Sequence, residues 1–430
     1  MLPGAAAAGG QTPFPTPRPR LPRNLIDLKP TLFPIRTIWT LDLGFALAAP
    51  PAFFERTGYF ALDDGRLAAY DLQFGEQIWI TSIETTSRPA PSPDFLFVAQ
   101  DDAIVALRTL DASIAWTLPF AEPLAAPLVW DNGWLVAATH DGSVLAYRGT
   151  DGQLIWRADL GSPAHAEPAL AGDRVYVPTE DGRVVSLRVD TGAVVWEQRL
   201  GGAAGEVLAL DKHVYVGSRD NSFYRLAAKD GEREKVWRTG GDVFGMPVVD
   251  EHNVFFVSLD NVLRSLSRRS GNQQWKRAMS LRPFAGPVRA ADVLIVPGFS
   301  TALPAFSLTT GAPIGNLTAG GEVVAPPHVA DIPGLGATVF LVTADIAKGA
   351  TVTAVARRVD PVVDTLTALP APNPISVPPP AEETLPAPFE ELPGAIVFEP
   401  PWPSRFEALP GAIAIPPLSE VKPTSAFDSM

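Results

Sequence analysis

Seven tryptophans keep step along this chain: Trp39, Trp79, Trp116, Trp156, Trp196, Trp237 and Trp275 are separated by 40, 37, 40, 40, 41 and 38 residues. One further step of 40 reaches Gly315, inside TTGAPIG, which repeats the turn of DTGAVVW around Trp196 without its aromatic ring. A second ladder runs through Pro51, Pro91, Pro127, Pro168, Pro247, Pro287 and Pro327, with Val207 filling its one gap. A period near 40 residues, kept eight times, restricts the chain to an array of small repeated units, none of which buries its apolar faces alone.

The unit 157–196, RADLGSPAHAEPALAGDRVYVPTEDGRVVSLRVDTGAVVW, shows what is repeated. Arg174–Thr179 and Arg183–Val189 are β-branched runs of strand length, too short for helices. Glu180-Asp181-Gly182 between them and Asp190-Thr191-Gly192 after them are turn chemistry, because glycine reaches positive φ without strain. With a first strand over Ala164–Leu170 and a fourth over Ala193–Gln198, the unit is a four-stranded antiparallel meander. The Asp-Gly turn recurs at Asp64-Gly65 and Asp141-Gly142 and relaxes to Asp-Asn at Asp220-Asn221 and Asp260-Asn261.

Four-stranded units of this length and number predict an all-β fold, an eight-bladed β-propeller. The eighth unit has only three strands of its own, over Val324–Val329, Thr338–Thr343 and Thr351–Arg357. IRTIWTL at Ile35–Leu41 reads as a lone fourth strand in the right phase and is expected to complete the last blade, closing the ring and removing an open edge. Prolines divide the rest: 8 fall in residues 1–36, 20 in 37–358 and 17 in 359–430. Formal charge follows the same partition, at +4, −9 and −8. The expected organisation is a basic Pro-rich arm over 1–34, the propeller over 35–358, and an acidic, Pro-rich, extended tail over 359–430.

The repeat DGRVVSLRVDTGAVVW (181–196), with DGSVLAYRGTDGQLIW (141–156) and DGRLAAYDLQFGEQIW (64–79), resembles the pyrroloquinoline-quinone-type propeller repeat. The resemblance covers about 320 of the 430 residues. That family has two branches: quinone-dependent dehydrogenases, and non-catalytic members like the outer-membrane assembly factor BamB, whose propeller is an interaction platform. The size of this chain fits the second branch. The resemblance implies an envelope protein partner and a periplasmic or cell-envelope location.

Composition removes several other classes. A balance of 34 Lys+Arg against 47 Asp+Glu gives net charge −13, which opposes phosphate-backbone binding, so no nucleic-acid partner is expected. No cysteine is present, which excludes disulfides, thiolate metal sites and a lipid-modified N-terminal cysteine, the anchor of BamB-like lipoproteins. The longest apolar run, Phe45–Phe54, contains two prolines and falls well short of a membrane span. The opening MLPGAAAAGGQTPFPTPRPR lacks the apolar core of a secretory signal, while its alanine run is compatible with the end of a signal that starts upstream.

Few residues look chemical. His165 and Glu167 alternate on one face of the predicted first strand near the axis, the strongest acid/base candidates at the channel mouth. No nucleophile accompanies them, and polar residues at a channel entrance explain them as well. His140, His213, His252 and His328 are scattered without metal-ligand spacing, and each Asp-Gly turn offers too few oxygens for Ca²⁺. No catalytic residue, cofactor or metal site is expected. A quinone- and Ca²⁺-dependent dehydrogenase, or a small-molecule binder using the channel mouth, is the alternative.

The tail holds the most pointed motif outside the repeat. FEELPGAI at 389–396 returns as FEALPGAI at 406–413, with seven of eight positions identical. Phe389, Leu392 and Ile396, with Phe406, Leu409 and Ile413, can anchor two short peptides in grooves of a partner, with avidity from the tether. Docking on the chain's own propeller and a neutral spacer are the competing readings. The expected function is therefore a non-catalytic, protein-binding scaffold.

Overall fold

The computed structural model describes residues 31–210, 212–345 and 349–358. Among them the only regular elements are strands, grouped in eight sheets. Among the described residues no helix is long and apolar enough to cross a membrane. Seven of the sheets are consecutive four-stranded antiparallel meanders: blades 1 (52–82), 2 (90–119), 3 (129–159), 4 (169–199), 5 (204–238), 6 (248–278) and 7 (288–318). Blade 8 pairs Glu322–Val323 and His328–Ile332 with Gly336–Asp345, then Gly349–Arg357, and last the N-terminal strand Ile35–Asp42. The lone first strand therefore closes the ring, as its phase predicts. The innermost strand of blade 8 is split in two, so that blade counts five segments.

Each hairpin follows from local chemistry. The turn from second to third strand places Gly65, Gly142 and Gly182 at φ +83, +89 and +85. Asn221 and Asn261, the relaxed copies, adopt +61 and +58, the left-handed region that asparagine tolerates best after glycine. The second and third strands are buried on both faces, as in Val175, Tyr176, Val177, Val184 and Val185 of blade 4, while the fourth strand buries its tryptophan and exposes most of its other residues.

Tryptophan joins one blade to the next. Trp156 Nε1 donates to the Val189 carbonyl at 2.7 Å and Trp196 Nε1 to Ala228 at 3.0 Å, each acceptor lying in the following blade. Trp39, Trp79, Trp116 and Trp237 make the same bond to Gln73, Thr109, Gly149 and Gly271. Trp275 Nε1 has no partner among the described residues; instead Arg277 donates to the Thr310 and Gly311 carbonyls of blade 7. Each ring also lies under a turn of the next blade. A methyl group at Gly192 would come within 2.5 Å of the Trp156 ring, and φ of +69 there already favours glycine.

The seam without a tryptophan is filled from elsewhere. A methyl group at Gly315 would meet Phe33 Cε1 at 2.7 Å, so the Phe33 ring occupies the space beside that glycine. Leu32 is fully buried beside it, among Val293, Leu303 and Val339 of blades 7 and 8, and its N–H donates to Asp292 at 2.9 Å. Sequence reading assigned both residues to the N-terminal arm. They are part of the packed seam, because the space left by the missing indole must be filled.

Trp196 is 7% exposed and shared between blades 4 and 5, so Trp196→Ala is expected to lower stability by roughly 3–5 kcal/mol. Denaturant unfolding of the full chain measures this, and an unchanged midpoint would contradict the seam assignment.

Candidate functional site

The register defines one equivalent position per blade at the axis. The residue that pairs with Tyr59, Phe97, Val136, Tyr176, Tyr215, Phe255, Ile295 or Phe340 marks one register position on each inner strand, its first residue except in blade 5, where the strand begins earlier at Ala204, and in blade 8, where it opens the second segment. Two places before it stand Pro50, Arg88, Pro127, Glu167, Glu206, Met246, Gly286 and Pro326. The same register assigns the ladder position to Pro89 rather than Pro91 in blade 2, and to Leu128 rather than Pro127 in blade 3. Blades 2 and 3 vary the connection into the inner strand, so sequence spacing alone misplaces those two steps.

The predicted first strand Ala164–Leu170 is likewise interrupted. Ala164 bridges Thr179, and the strand resumes only at Ala169–Ala171. His165 and Glu167 lie on the kinked stretch between, one residue apart but with different partners. His165 lines a recess on the loop face; burial lowers its pKa, the nearby Arg219 adds to that, and Glu180 opposes it. Glu167 turns to the axis, where Arg88 Nη2 of blade 2 reaches past blade 3 to its Oε2 at 2.5 Å.

Glu206 of blade 5 stands next to this pair. Burial raises its pKa, the Glu167 charge raises it further, and the Met246 N–H and Arg88 only partly offset them. In the next blades, Gly286 is pressed so closely against the Met246 backbone that no side chain fits there. The axial positions thus hold an ion pair, a carboxyl group held toward its neutral form, and a close backbone contact.

Two recesses lie on the face formed by the blade-to-blade loops. One, of about 450 Å³ over blades 4–7, is lined by His165, Arg219, Arg282, Asp242, Phe244 and Phe299. Phe299 is 64% exposed and packs against Phe284, with ring centroids 5.4 Å apart. The other, of about 810 Å³ over blades 1–3, is lined by Glu84, Asp101, Asp102 and Glu122 as well as Arg88. The loop face is therefore basic and aromatic on one side and acidic on the other.

The turn carboxylates nearby serve their own hairpins. The Thr139 hydroxyl and Ser143 N–H hold the Asp141 carboxyl below its ordinary range. Burial works against the charge of Asp260, but Arg264, Ser258 and the Gly240 N–H outweigh it and bring its pKa down to about 2. Among the described residues no group of three or more histidine or acidic side chains is placed to hold a metal. His213 pairs with Glu234 at 3.0 Å, and His328 stacks on Phe53 at 4.4 Å, where burial lowers its pKa to about 4. The tail anchors Phe389, Leu392, Ile396, Phe406, Leu409 and Ile413 lie outside the described residues.

Sequence reading missed Arg88, Glu206, Arg219, Arg282 and Phe299. Arg88 and Glu206 occupy the same repeat position as Glu167, a signal readable once the eight units are aligned by strand register. Arg219 and Phe299 replace the Glu180 of blade 4 in their own turns.

With this geometry in hand, relatives can be compared. Residues 63–207, 140–239 and 211–344 match the family described as outer membrane protein assembly factor BamB, so the matches run over more than half of the chain. The chain belongs to that family. A stretch of 115 residues is 31% identical to BamB of Yersinia pestis, covering 25% of this chain and 29% of that protein. The match thus spans less than a third of that relative's length. Among solved structures, BamB from Moraxella catarrhalis superposes with a TM-score of 0.62 at 17% identity, covering 75% of this chain and 99% of the other. The quinohemoprotein alcohol dehydrogenase of Comamonas testosteroni superposes at 0.60 and 12% identity, covering 76% and 77%. At these identities the two structures establish the shared propeller only.

The ring position yields a pH prediction. Because the folded state raises the Glu206 pKa, the stability linked to its protonation is complete below the unfolded value of 4.5 and is lost as pH rises through the folded one. Glu206→Gln removes that loss. Its melting temperature is expected to exceed that of the parent by a margin that widens from pH 4.5 toward neutrality, whereas a constant margin would show that Glu206 does not titrate in this way.

Proposed function

We propose that this protein is a non-catalytic, protein-binding scaffold of the bacterial cell envelope, working in outer-membrane protein assembly and located in the periplasm or at the envelope. The observation that carries the reading is the loop face: two recesses of opposite character on a rigid ring, around the axial cluster of Arg88, Glu167 and Glu206. Binding residues concentrate on loops held by such a frame. Arg219, Arg282 and the exposed ring of Phe299 are the residue types that anchor protein interfaces. Membership of the BamB family supports an envelope protein as the partner.

The duplicated FE-x-LPGAI segments are the second contact in this proposal. Each offers three apolar anchors at fixed spacing, and two copies on one tether raise effective concentration for a partner with two grooves. Full-length protein and a variant with Phe389, Leu392, Ile396, Phe406, Leu409 and Ile413 replaced by serine are compared as bait in native envelope extract, with bound proteins identified by mass spectrometry. Loss of a partner from the variant is the expected result. Equal capture by both would remove the tail from recognition and leave the loop face.

The dehydrogenase alternative shares the fold and little of the chemistry. A quinone with Ca²⁺ needs a flat slot over the axis and six to eight oxygen ligands. At the axial ring of this chain Glu167 is engaged by Arg88, Glu206 is held toward its neutral form, and Gly286 is packed against the Met246 backbone. These residues do not fit the group. Quinone with Ca²⁺ is therefore expected to leave the melting temperature unchanged, where a ligand at ~100 times its dissociation constant would add about 2.7 kcal/mol. A saturable rise would reinstate the enzyme.

A further inference from the structure

The fourth strand of every blade is the outer member of its sheet, so one side of its backbone has no strand beside it. Folded proteins blunt such edges with charged side chains or proline. Arg157, Arg199, Lys235 and Lys276 do so in blades 3 to 6, and Arg36 in blade 8. Pro119 ends the outer strand of blade 2, and Pro313 opens that of blade 7. Blade 1 differs: its outer strand, EQIWITS over Glu76–Ser82, carries no basic residue, proline or glycine, and its one charge stands at the first position.

The residue after the ladder position sharpens the contrast. It is exposed in all eight blades, as Arg157, Glu197, Arg238 and Lys276 in blades 3 to 6, and as Thr117, Asn316 and Thr40 in blades 2, 7 and 8. Blade 1 places Ile80 there, 37% exposed, two residues from Ile78 at 44%. The apolar surface extends past the strand. Phe74, in the hairpin before it, is exposed, and the Trp79 Nε1 bond to the Thr109 carbonyl brings the hairpin of the exposed Leu110 against it. Among the described residues, only the third strand of blade 1 shares backbone pairing with Glu76–Ser82.

We propose that the outer edge of blade 1 is a self-association surface, where two copies of the chain pair through Glu76–Ser82, antiparallel about a two-fold axis near Ile80. The occupant follows from what the edge accepts. A strand laid against Ile78 and Ile80 must bring no unpaired charge into the contact and must donate along its length. Among the described outer strands only a second copy of this one qualifies, because each of the others carries a basic residue or a proline. Pairing of an edge with itself is isologous and closes at two copies. β-branched and aromatic residues facing one another across strands stabilise such a ladder. With Ile80 at the centre, Glu76 of one copy meets Glu84 of the other at each end, and the net charge of −13 adds to that repulsion. The dimer therefore tightens as salt screens it.

Sedimentation velocity of the full-length protein, over a concentration series at low and at high salt, tests this. A monomer–dimer equilibrium that shifts toward dimer at high salt is expected. Ile80→Lys, which copies the residue of blade 6, should raise the dissociation constant at least about tenfold, whereas Thr117→Lys at the same position of blade 2 should leave it unchanged. Both positions are exposed, so both melting temperatures should match the parent. The chain has no cysteine, so Ile80→Cys introduces a single thiol. On mild oxidation that variant should form a disulfide-linked dimer and Thr117→Cys should not, because only the first brings two thiols within bridging distance. A monomer at every concentration overturns the proposal and leaves the edge to an extended segment of another protein. A dimer that Ile80→Lys leaves intact, a dimer that salt disperses, or species that grow beyond two copies also overturns it.

Discussion

Everything in this propeller depends on an indole lying under a turn of the next blade. The contact has two requirements: a large flat ring on the fourth strand, and a positive-φ residue of minimal size in the neighbouring hairpin, glycine at most seams and Ala112 (φ +59) beside Trp79. Gly192 above Trp156 and Gly231 above Trp196 meet both. Burial of the ring supplies the apolar term, and the Nε1–H bond to a carbonyl of the next blade fixes the angle between blades. Because the same bond recurs around the ring, blade spacing is set locally, seam by seam. The sheets then only have to bury their flat faces.

A ring built this way fails at its weakest seam, and the chain has one with no indole. Gly315 stands in the tryptophan phase, and residues from the far end of the sequence, Leu32 and Phe33, fill the gap. The strand that follows them, Ile35–Asp42, completes blade 8 and brings Trp39 under Gly75 of blade 1. One short segment thus repairs one seam and forms the next. The repair and the pairing of Ile35–Asp42 with Gly349–Arg357 join the two ends of the sequence, a costly loop closure that only the finished ring rewards.

Function on such a frame comes from breaking the repeat. Eight equivalent axial positions hold five residue types, from proline and glycine to Met246 and the charged trio Arg88, Glu167 and Glu206. The trio interacts around the axis, and the same loops leave a basic, aromatic recess on one side and an acidic one on the other. A rigid ring holds these features still, which suits recognition of another protein surface more than chemistry at the axis.

The periodicity of tryptophan, the Asp-Gly turns and the β-branched runs between them were enough to specify blade number, strand content and closure by Ile35–Leu41. Each is a local rule, with turn residues setting hairpins and one apolar position setting a seam, so each is written where it acts. Tertiary structure alone decided that the inner strand breaks between Ala164 and Ala169, parting His165 from Glu167. It also decided that Arg88 reaches over a blade to Glu167, and that Phe33 stands in for an indole at Gly315. These contacts join residues distant in sequence that meet only when the ring is complete, and no spacing along the chain encodes which side chain will be across the axis from which.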